Sequence, residues 1–135
     1  MRLRPLQDFV HVGLCLLRHH GIAARYVSGY LFSTSGGTLP SSDPRGDVSV
    51  EVDTHAWIEA LLPGSGEDRD PLWVGIDPTN RGFTTADHVK IGHGRHYADV
   101  PPIKGVYRGA ANSVLEASVT MTRIEGIDPA ASARS

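Results

Sequence analysis

The clearest alternation of apolar and polar residues lies in the middle of the chain, in two short segments. The first covers residues 53–62, Asp-Thr-His-Ala-Trp-Ile-Glu-Ala-Leu-Leu, and the second covers residues 72–80, Leu-Trp-Val-Gly-Ile-Asp-Pro-Thr-Asn. Residues 63–71, which separate them, are rich in glycine, proline and acidic residues. Alternating segments joined by turn-forming residues predict a β-hairpin with a long tip.

Pairing the two arms symmetrically, with Leu62 opposite Leu72, gives the hairpin two different faces. The apolar face holds Ala56, Ile58, Ala60, Val74 and Ile76. The other face holds His55, Trp57, Glu59, Trp73 and Asp77. In this register His55 and Asp77 are diagonal neighbours, with Cβ atoms about 7–8 Å apart or less. A carboxylate there can hold an imidazole in one tautomer, which supplies two thirds of a nucleophilic triad. A β-bulge in either arm would separate the pair.

Residues 5–20 predict a helix that starts with Pro5 in its first turn and ends before Gly21. Its apolar residues lie on almost all sides: Leu6, Phe9, Val10, Val12, Leu14, Cys15, Leu16 and Leu17. A helix of this kind is expected to be buried. Few other elements are available to cover it, so we expect that the front part of the domain is absent. A partner that covers the N-terminal helix is compatible with this pattern.

The remaining pattern predicts short strands, loops and a polar end. The expected strands cover residues 25–32, 88–92 and 114–124, and long loops cover residues 33–47 and 94–109. The chain is therefore predicted to be a single α+β domain, residues 1–126, in which one buried helix packs on an antiparallel β-sheet. The small polar tail, residues 127–135, is predicted to be disordered.

Composition excludes several classes of function. The chain has 135 residues, 40% hydrophobic content and a net charge of −2, which argues against nucleic acid as its main partner. No apolar run approaches the roughly 20 residues needed to span a membrane, and no signal peptide is predicted. The single cysteine, Cys15, cannot form an internal disulfide, so a cytoplasmic, reducing location is expected.

Several separate motifs, in order along the chain, closely resemble the bacterial transglutaminase-like family. They lie at residues 7–11 (Gln-Asp-Phe-Val-His), 21–31, 55–57 (His-Ala-Trp), 73–80 and 94–109. The resemblance extends to about residue 124. It implies a papain-like core in which a cysteine opens a buried helix and a histidine and an aspartate follow on successive strands. It also implies thiol-dependent acyl transfer or amide hydrolysis on a protein or peptide substrate, with His55 and Asp77 as the catalytic pair.

The resemblance fails at the nucleophile. The family's helix begins Gly-Val-Cys-Gln-Asp-Phe, whereas residues 4–9 here read Arg-Pro-Leu-Gln-Asp-Phe, so Leu6 occupies the cysteine position. Leucine has no nucleophilic atom, so the acyl-enzyme step cannot occur there. Cys15 lies nine residues further along, about 13–14 Å away and half a turn round the helix. We therefore interpret Cys15 as a small buried apolar residue.

Three further residues are assigned to the substrate cleft. Trp57 and Trp73 are expected to flank it, and core packing is the favoured interpretation of both. Gln7 could donate a hydrogen bond near an oxyanion, a role that depends on the nucleophile position.

No metal and no cofactor are predicted. His88, His93 and His96 lie close together, but their spacing matches no standard zinc pattern, and they are interpreted as solvated loop residues.

Three functions remain open from the sequence. The favoured one is a transglutaminase-like protein that is inactive, because the chain is truncated or because Leu6 replaces the cysteine. The second is a non-catalytic module that keeps the cleft and binds a peptide or an acidic partner. The third is a weak hydrolase in which His55 and Asp77 activate water.

Overall fold

The computed structural model describes residues 5–33, 41–42, 48–52, 54–64, 70–101 and 118–124. In the helix, side chains are described from Asp8 onward. The elements are α1 (Pro5–His19), β1 (Ala24–Leu31), β2 (Ser41–Ser42), β3 (Val48–Val52), β4 (Thr54–Leu62), β5 (Leu72–Asp77), β6 (Gly82–Phe83), β7 (His88–Gly94) and β8 (Val119–Arg123), with a 3-10 turn at Tyr97–Asp99. They form two compact units. The predicted α+β class is confirmed.

The first unit contains α1 and a five-stranded antiparallel sheet in the order β6-β5-β4-β1-β7. Strands β4 and β5 are the two arms of the predicted hairpin. Leu62 lies opposite Leu72 and Ile58 lies opposite Ile76, so the predicted register is confirmed. Because side chains alternate along a strand, this register puts His55 and Asp77 on the same face.

One face of α1 builds the core of this unit. Val10 and Leu14, which are 0% and 1% exposed, pack with Tyr26, Ala56 and Ile58. Between them, Gly13 lets the helix approach the sheet closely, since a Cβ atom there would lie 2.5 Å from Cδ1 of Ile58. The apolar face of the predicted hairpin is therefore the face that the helix covers.

The helix ends at the predicted glycine. Gly21 has a φ of 75°, in the left-handed region, which a residue without a Cβ atom adopts at little cost. The amide of Gly21 donates to the carbonyl of Arg18 at 3.0 Å, and the amide of Ile22 donates to the carbonyl of Leu17 at 2.9 Å. This pair of bonds is the Schellman motif, which satisfies carbonyls that have no partner within the helix.

The outer face of α1 is exposed. Phe9, Val12 and Leu16 are 57%, 59% and 57% exposed, and the thiol-bearing residue Cys15 is exposed too. The interpretation of Cys15 as a buried residue is therefore wrong. A helix with apolar residues on every side gives no sign of which side faces the sheet, and here residues 10 and 14 face it.

The second unit contains a three-stranded antiparallel sheet in the order β2-β3-β8. Val50 pairs with Met121, and the hydroxyl groups of Ser49 and Thr122 lie 2.8 Å apart across the same strand pair. Strand β8 confirms part of the strand predicted at residues 114–124. The predicted tail, residues 127–135, lies outside the described residues. No helix in the described part of the chain is long and apolar enough to cross a membrane.

Candidate functional site

The site is organised around Asp77, the last residue of β5, whose side chain is fully buried. One carboxylate oxygen, Oδ1, accepts hydrogen bonds from the main-chain amides of Thr79 at 3.1 Å and Asn80 at 3.2 Å. This is an Asx turn, and Pro78 suits it because the residue next to Asp77 need not donate. The other oxygen, Oδ2, accepts a hydrogen bond from Nδ2 of Asn80 at 2.6 Å. The residues that follow Asp77 in the sequence thus fix the position of its carboxylate.

His55, near the start of β4, makes the predicted contact with this carboxylate. Its Nε2 lies 2.7 Å from Oδ2 of Asp77, and the histidine is 8% exposed. An ionised carboxylate only accepts hydrogen bonds, so Nε2 of His55 carries the proton. In the neutral ring the lone pair is then on Nδ1, which has no hydrogen-bond partner within the described ranges. In the neutral ring, Nδ1 is thus the basic nitrogen.

Burial and hydrogen bonding act in opposite directions on Asp77. Burial raises the pKa of the carboxyl group. The hydrogen bonds from His88, His55 and Asn80 outweigh burial and lower its pKa from 3.8 to about 2. Asp77 is therefore ionised at neutral pH although water does not reach it, and it can orient an imidazole and stabilise its protonated form.

A second histidine, His88, also contacts Asp77. Its Nε2 lies 3.0 Å from Oδ2, and its side chain is only 6% exposed. The prediction that His88 is a solvated loop residue is wrong, whereas His93 and His96 are exposed as expected. His88 opens β7 and pairs with Leu31 at the end of β1. That pairing joins segments more than fifty residues apart, and no local pattern around residue 88 indicates it.

Trp57 forms one wall of this cluster. It is 2% exposed, and its ring centroid lies 5.3 Å from that of His88, in an edge-on arrangement, and 6.3 Å from that of His55. Trp73 lies elsewhere: it is 37% exposed, and the guanidinium carbon of Arg25 sits 3.8 Å from its ring centroid. Of the two predicted cleft tryptophans, Trp57 is therefore the one in contact with the histidines.

Leu6 and Gln7 lie in the first turn of α1, but their side chains are outside the described part of the chain. Their assignments to the nucleophile position and to the cleft stay predictions.

A cluster of charged side chains lies beside the site, around Glu59 on the same face of β4. Glu59 bonds to Nε of Arg25 at 2.6 Å and to Nζ of Lys90 at 2.7 Å. Burial raises the pKa of Glu59, but hydrogen bonds from Lys90 and Arg25 outweigh burial and lower it. Because Arg25 is on β1 and Lys90 is on β7, this cluster ties three strands together beside the site. The sequence placed Glu59 on this face but did not indicate its partners.

Three possible metal ligands meet at the site. The nearest ligand atoms of His55, Asp77 and His88 all lie within 4.8 Å of one another. However, the main-chain amide of Thr85 donates to Nδ1 of His88 at 3.0 Å, so Nδ1 holds the lone pair and Nε2 holds the proton. A histidine that ligates a metal through Nε2 carries its proton on Nδ1 instead. As arranged, the group is a hydrogen-bonded cluster rather than a ligand set.

The chain matches the sequence model of the Transglutaminase-like superfamily over residues 6–78, which is more than half of its length. The uncharacterized protein Rv2569c of Mycobacterium tuberculosis is 39% identical to it over 122 residues, or 89% of this chain and 36% of that one. The uncharacterized protein ML0607 of Mycobacterium leprae is 40% identical over 118 residues, or 87% of this chain and 37% of that one. The uncharacterized protein YebA of Bacillus subtilis is 36% identical over 80 residues, or 57% of this chain and 9% of that one.

The chain thus spans little more than a third of the length of the mycobacterial relatives it matches. No solved structure matches it significantly. The matched segment begins at Leu6, runs through His55 and ends just after Asp77. With its helix, antiparallel sheet and buried histidine–aspartate contact, the chain belongs to the transglutaminase-like superfamily.

Proposed function

We propose that this protein derives from a cysteine acyltransferase or amidase and retains the histidine and aspartate of its triad without the nucleophile. The observation that carries this proposal is the buried 2.7 Å contact between Nε2 of His55 and Oδ2 of Asp77, which leaves Nδ1 of His55 as the basic atom. With Leu6 at the nucleophile position, this chain does not turn over substrate.

The chemistry that the pair would support follows from its proton positions. Nδ1 of His55 would take the proton of a thiol, and the resulting thiolate would attack the carbonyl carbon of a glutamine-like or peptide amide. The imidazolium, stabilised by Asp77, would then give its proton to the departing amine and leave a thioester. Water or a second amine would release the acyl group. Leu6 supplies no atom for the first attack, and a pair arranged to serve a side chain does not place a water for attack.

The second candidate is a non-catalytic peptide-binding module. It is favoured by an open cavity of about 260 Å³ beside the site, lined by Ile76, Asp77, Pro78, Arg81, Gly82 and Phe83. Phe83 is 71% exposed at its rim. A cavity of this composition would accept an apolar side chain of a peptide, and its use requires no nucleophile.

The test restores the thiol. In a Cys15→Ser background, which removes the exposed native thiol, Leu6→Cys should gain hydrolysis of an activated ester and acyl transfer from a glutamine peptide to a primary amine. Iodoacetamide and the further change His55→Ala should each abolish this activity. Gln7→Cys, which moves the thiol one position round the helix, is the matched control and should remain inactive.

Two results would contradict the proposal. The first is turnover by the unaltered chain that disappears in both His55→Ala and Asp77→Ala, because it would show catalysis without a thiol at residue 6. The second is a folded Leu6→Cys variant with no activity above that of Gln7→Cys. Peptide binding by the unaltered chain that is lost in Phe83→Ala, without turnover, would favour the binding module.

A further inference from the structure

His88 is held in one orientation by a bond at each end of its ring. The amide of Thr85 donates to Nδ1 at 3.0 Å, and Nε2 lies 3.0 Å from Oδ2 of Asp77. A main-chain amide can only donate, so Nδ1 must accept and Nε2 must carry the proton. The ring is therefore fixed as a neutral donor aimed at the carboxylate.

The turn before β7 sets up this orientation. The amide of His88 donates to the carbonyl of Thr85 at 3.1 Å, and the amide of Asp87 donates to Oγ1 of Thr85 at 3.2 Å. These bonds close residues 85–88 into a compact turn, which brings the Thr85 amide next to the imidazole that it orients. The tautomer of His88 is thus determined by the backbone rather than by solvent.

His88 reaches Asp77 from a different part of the sheet than His55 does. Strand β7 is at one edge, β5 is next to the other edge, and β1 and β4 lie between them. The ring of His88 lies across this face, 5.9 Å from the ring of His55 and 5.3 Å from that of Trp57. Asp77 is therefore held by its own turn, by β4 and by β7.

We propose that His88 is a positioning residue for the His55–Asp77 pair, which acts by donating its fixed Nε2–H to Oδ2 of Asp77. The importance of this role for catalysis rests on the proposed function, whereas the hydrogen bonds of His88 do not depend on it. Without this donor, Oδ2 keeps the bonds from Asn80 and His55 but loses the one that reaches it from β7, so the carboxylate is held less firmly against His55. His55 would then be free to exchange between its two neutral tautomers.

The first measurement needs no activity. Long-range ¹H–¹⁵N correlation spectra of the labelled protein near neutral pH should show His88 with a protonated Nε2 and an unprotonated Nδ1, and His55 as a single tautomer of the same kind. A His88 protonated on Nδ1, or on both nitrogens, would overturn the inference without any variant.

Two substitutions at residue 88 then separate positioning from packing. His88→Gln places an amide N–H close to the position of Nε2–H and should keep His55 in one tautomer. His88→Leu removes the donor and should put His55 into exchange between two tautomers. His96→Ala, at an exposed histidine in the next segment, is the matched control and should leave His55 unchanged. A single His55 tautomer in a folded His88→Leu protein would contradict the inference.

A kinetic comparison in the Leu6→Cys, Cys15→Ser protein distinguishes this inference from the proposed function. His88→Leu should lower kcat about tenfold with little change in KM, because even a small misplacement of a catalytic group slows the chemical step. His88→Gln should recover most of kcat. Equal kcat in all three proteins would overturn the inference and leave the proposed function intact. An inert Leu6→Cys protein with the expected tautomers would remove the proposed function and leave the positioning role intact.

Discussion

The Asp77 carboxylate accepts five hydrogen bonds, from two main-chain amides, one side-chain amide and two imidazoles. Each of these donors favours the ionised form, and together they offset the cost of burying a charge. The result is a fixed negative charge beside His55 that persists at neutral pH. This charge makes Nε2 the protonated nitrogen of His55 and Nδ1 the basic one.

This charge predicts a specific loss of stability in acid. The pKa of Asp77 is 3.8 ordinarily and about 2 in the folded chain, so the folded state binds its proton less readily than the unfolded state. This lowered pKa contributes roughly 2 kcal/mol to the free energy of unfolding above about pH 5, and most of that contribution is lost as the pH falls to about 2. Urea unfolding at a series of pH values measures it.

Asp77→Asn supplies the control for that experiment. The variant cannot ionise at residue 77, so this part of the acid dependence should disappear from its unfolding curve. It should also be less stable at neutral pH, because the side-chain NH2 of asparagine is a hydrogen-bond donor and would lie against groups that also donate. Parallel pH dependence in the two proteins would mean that Asp77 does not carry the acid-sensitive stability.

At the level of single residues, part of the site could be predicted from the sequence. His55 and Asp77 were found because they alternate along two strands joined by a recognisable turn, so their spacing depends on local register. His88 was missed because its burial depends on the pairing of β7 with β1, which also shifts register between Ser28 and Gly29. Asn80 was missed although Asp-Pro-Thr-Asn is a recognisable Asx-turn sequence.

The same contrast holds for the larger elements. The hairpin register and the end of α1 both agree with the prediction. Both depend on residues that are close in the sequence: the paired arms of the hairpin in one case and Gly21 in the other. The exposed side of α1 could not be predicted, because apolar residues surround the helix and only tertiary contacts select Val10 and Leu14 for the core. The elements could therefore be predicted from neighbouring residues, whereas the contacts of the site also depend on the pairing of strands that are distant in the sequence.

Gly29 on β1 allows β7 and Trp57 to pack closely against this strand beside the site. A Cβ atom there would collide with the carbonyl oxygen of Val89 and lie 2.7 Å from the ring of Trp57. Gly29→Ala should therefore push β7 away from β1 or displace Trp57, and should lower the free energy of unfolding by about 3 kcal/mol. Thermal and urea unfolding measure this loss.

Gly82→Ala is the matched control for Gly29→Ala. Its nearest neighbour would be the carbonyl oxygen of Asn80 at 3.9 Å, an ordinary contact, so stability should change little. If the two alanine variants were equally stable, the close approach of β7 to β1 at Gly29 would not exist in solution.

For the whole molecule, the main feature is the exposed apolar stripe of α1 formed by Phe9, Val12 and Leu16. We propose that a partner covers this stripe, because exposed apolar patches of this kind usually mark contact surfaces.

This proposal predicts how the isolated chain behaves. It should self-associate as its concentration rises, and Leu16→Lys should reduce the association by placing a charge in the stripe. Leu72→Lys, at an equally exposed leucine on β5, should have little effect. Sedimentation velocity measures the association, and a strictly monomeric chain with an unaltered stripe would contradict the prediction.

The proposed function requires that residue 6 occupies the nucleophile position facing the base His55. Its most direct test is the pH dependence of iodoacetamide alkylation in the Leu6→Cys, Cys15→Ser protein, with and without His55→Ala. An ordinary thiol has a pKa of about 8.5, and a thiol beside a catalytic imidazole has a lower one. We expect rapid alkylation to persist well below that pH and to require His55. Alkylation that follows an ordinary thiol in both proteins would contradict the claim.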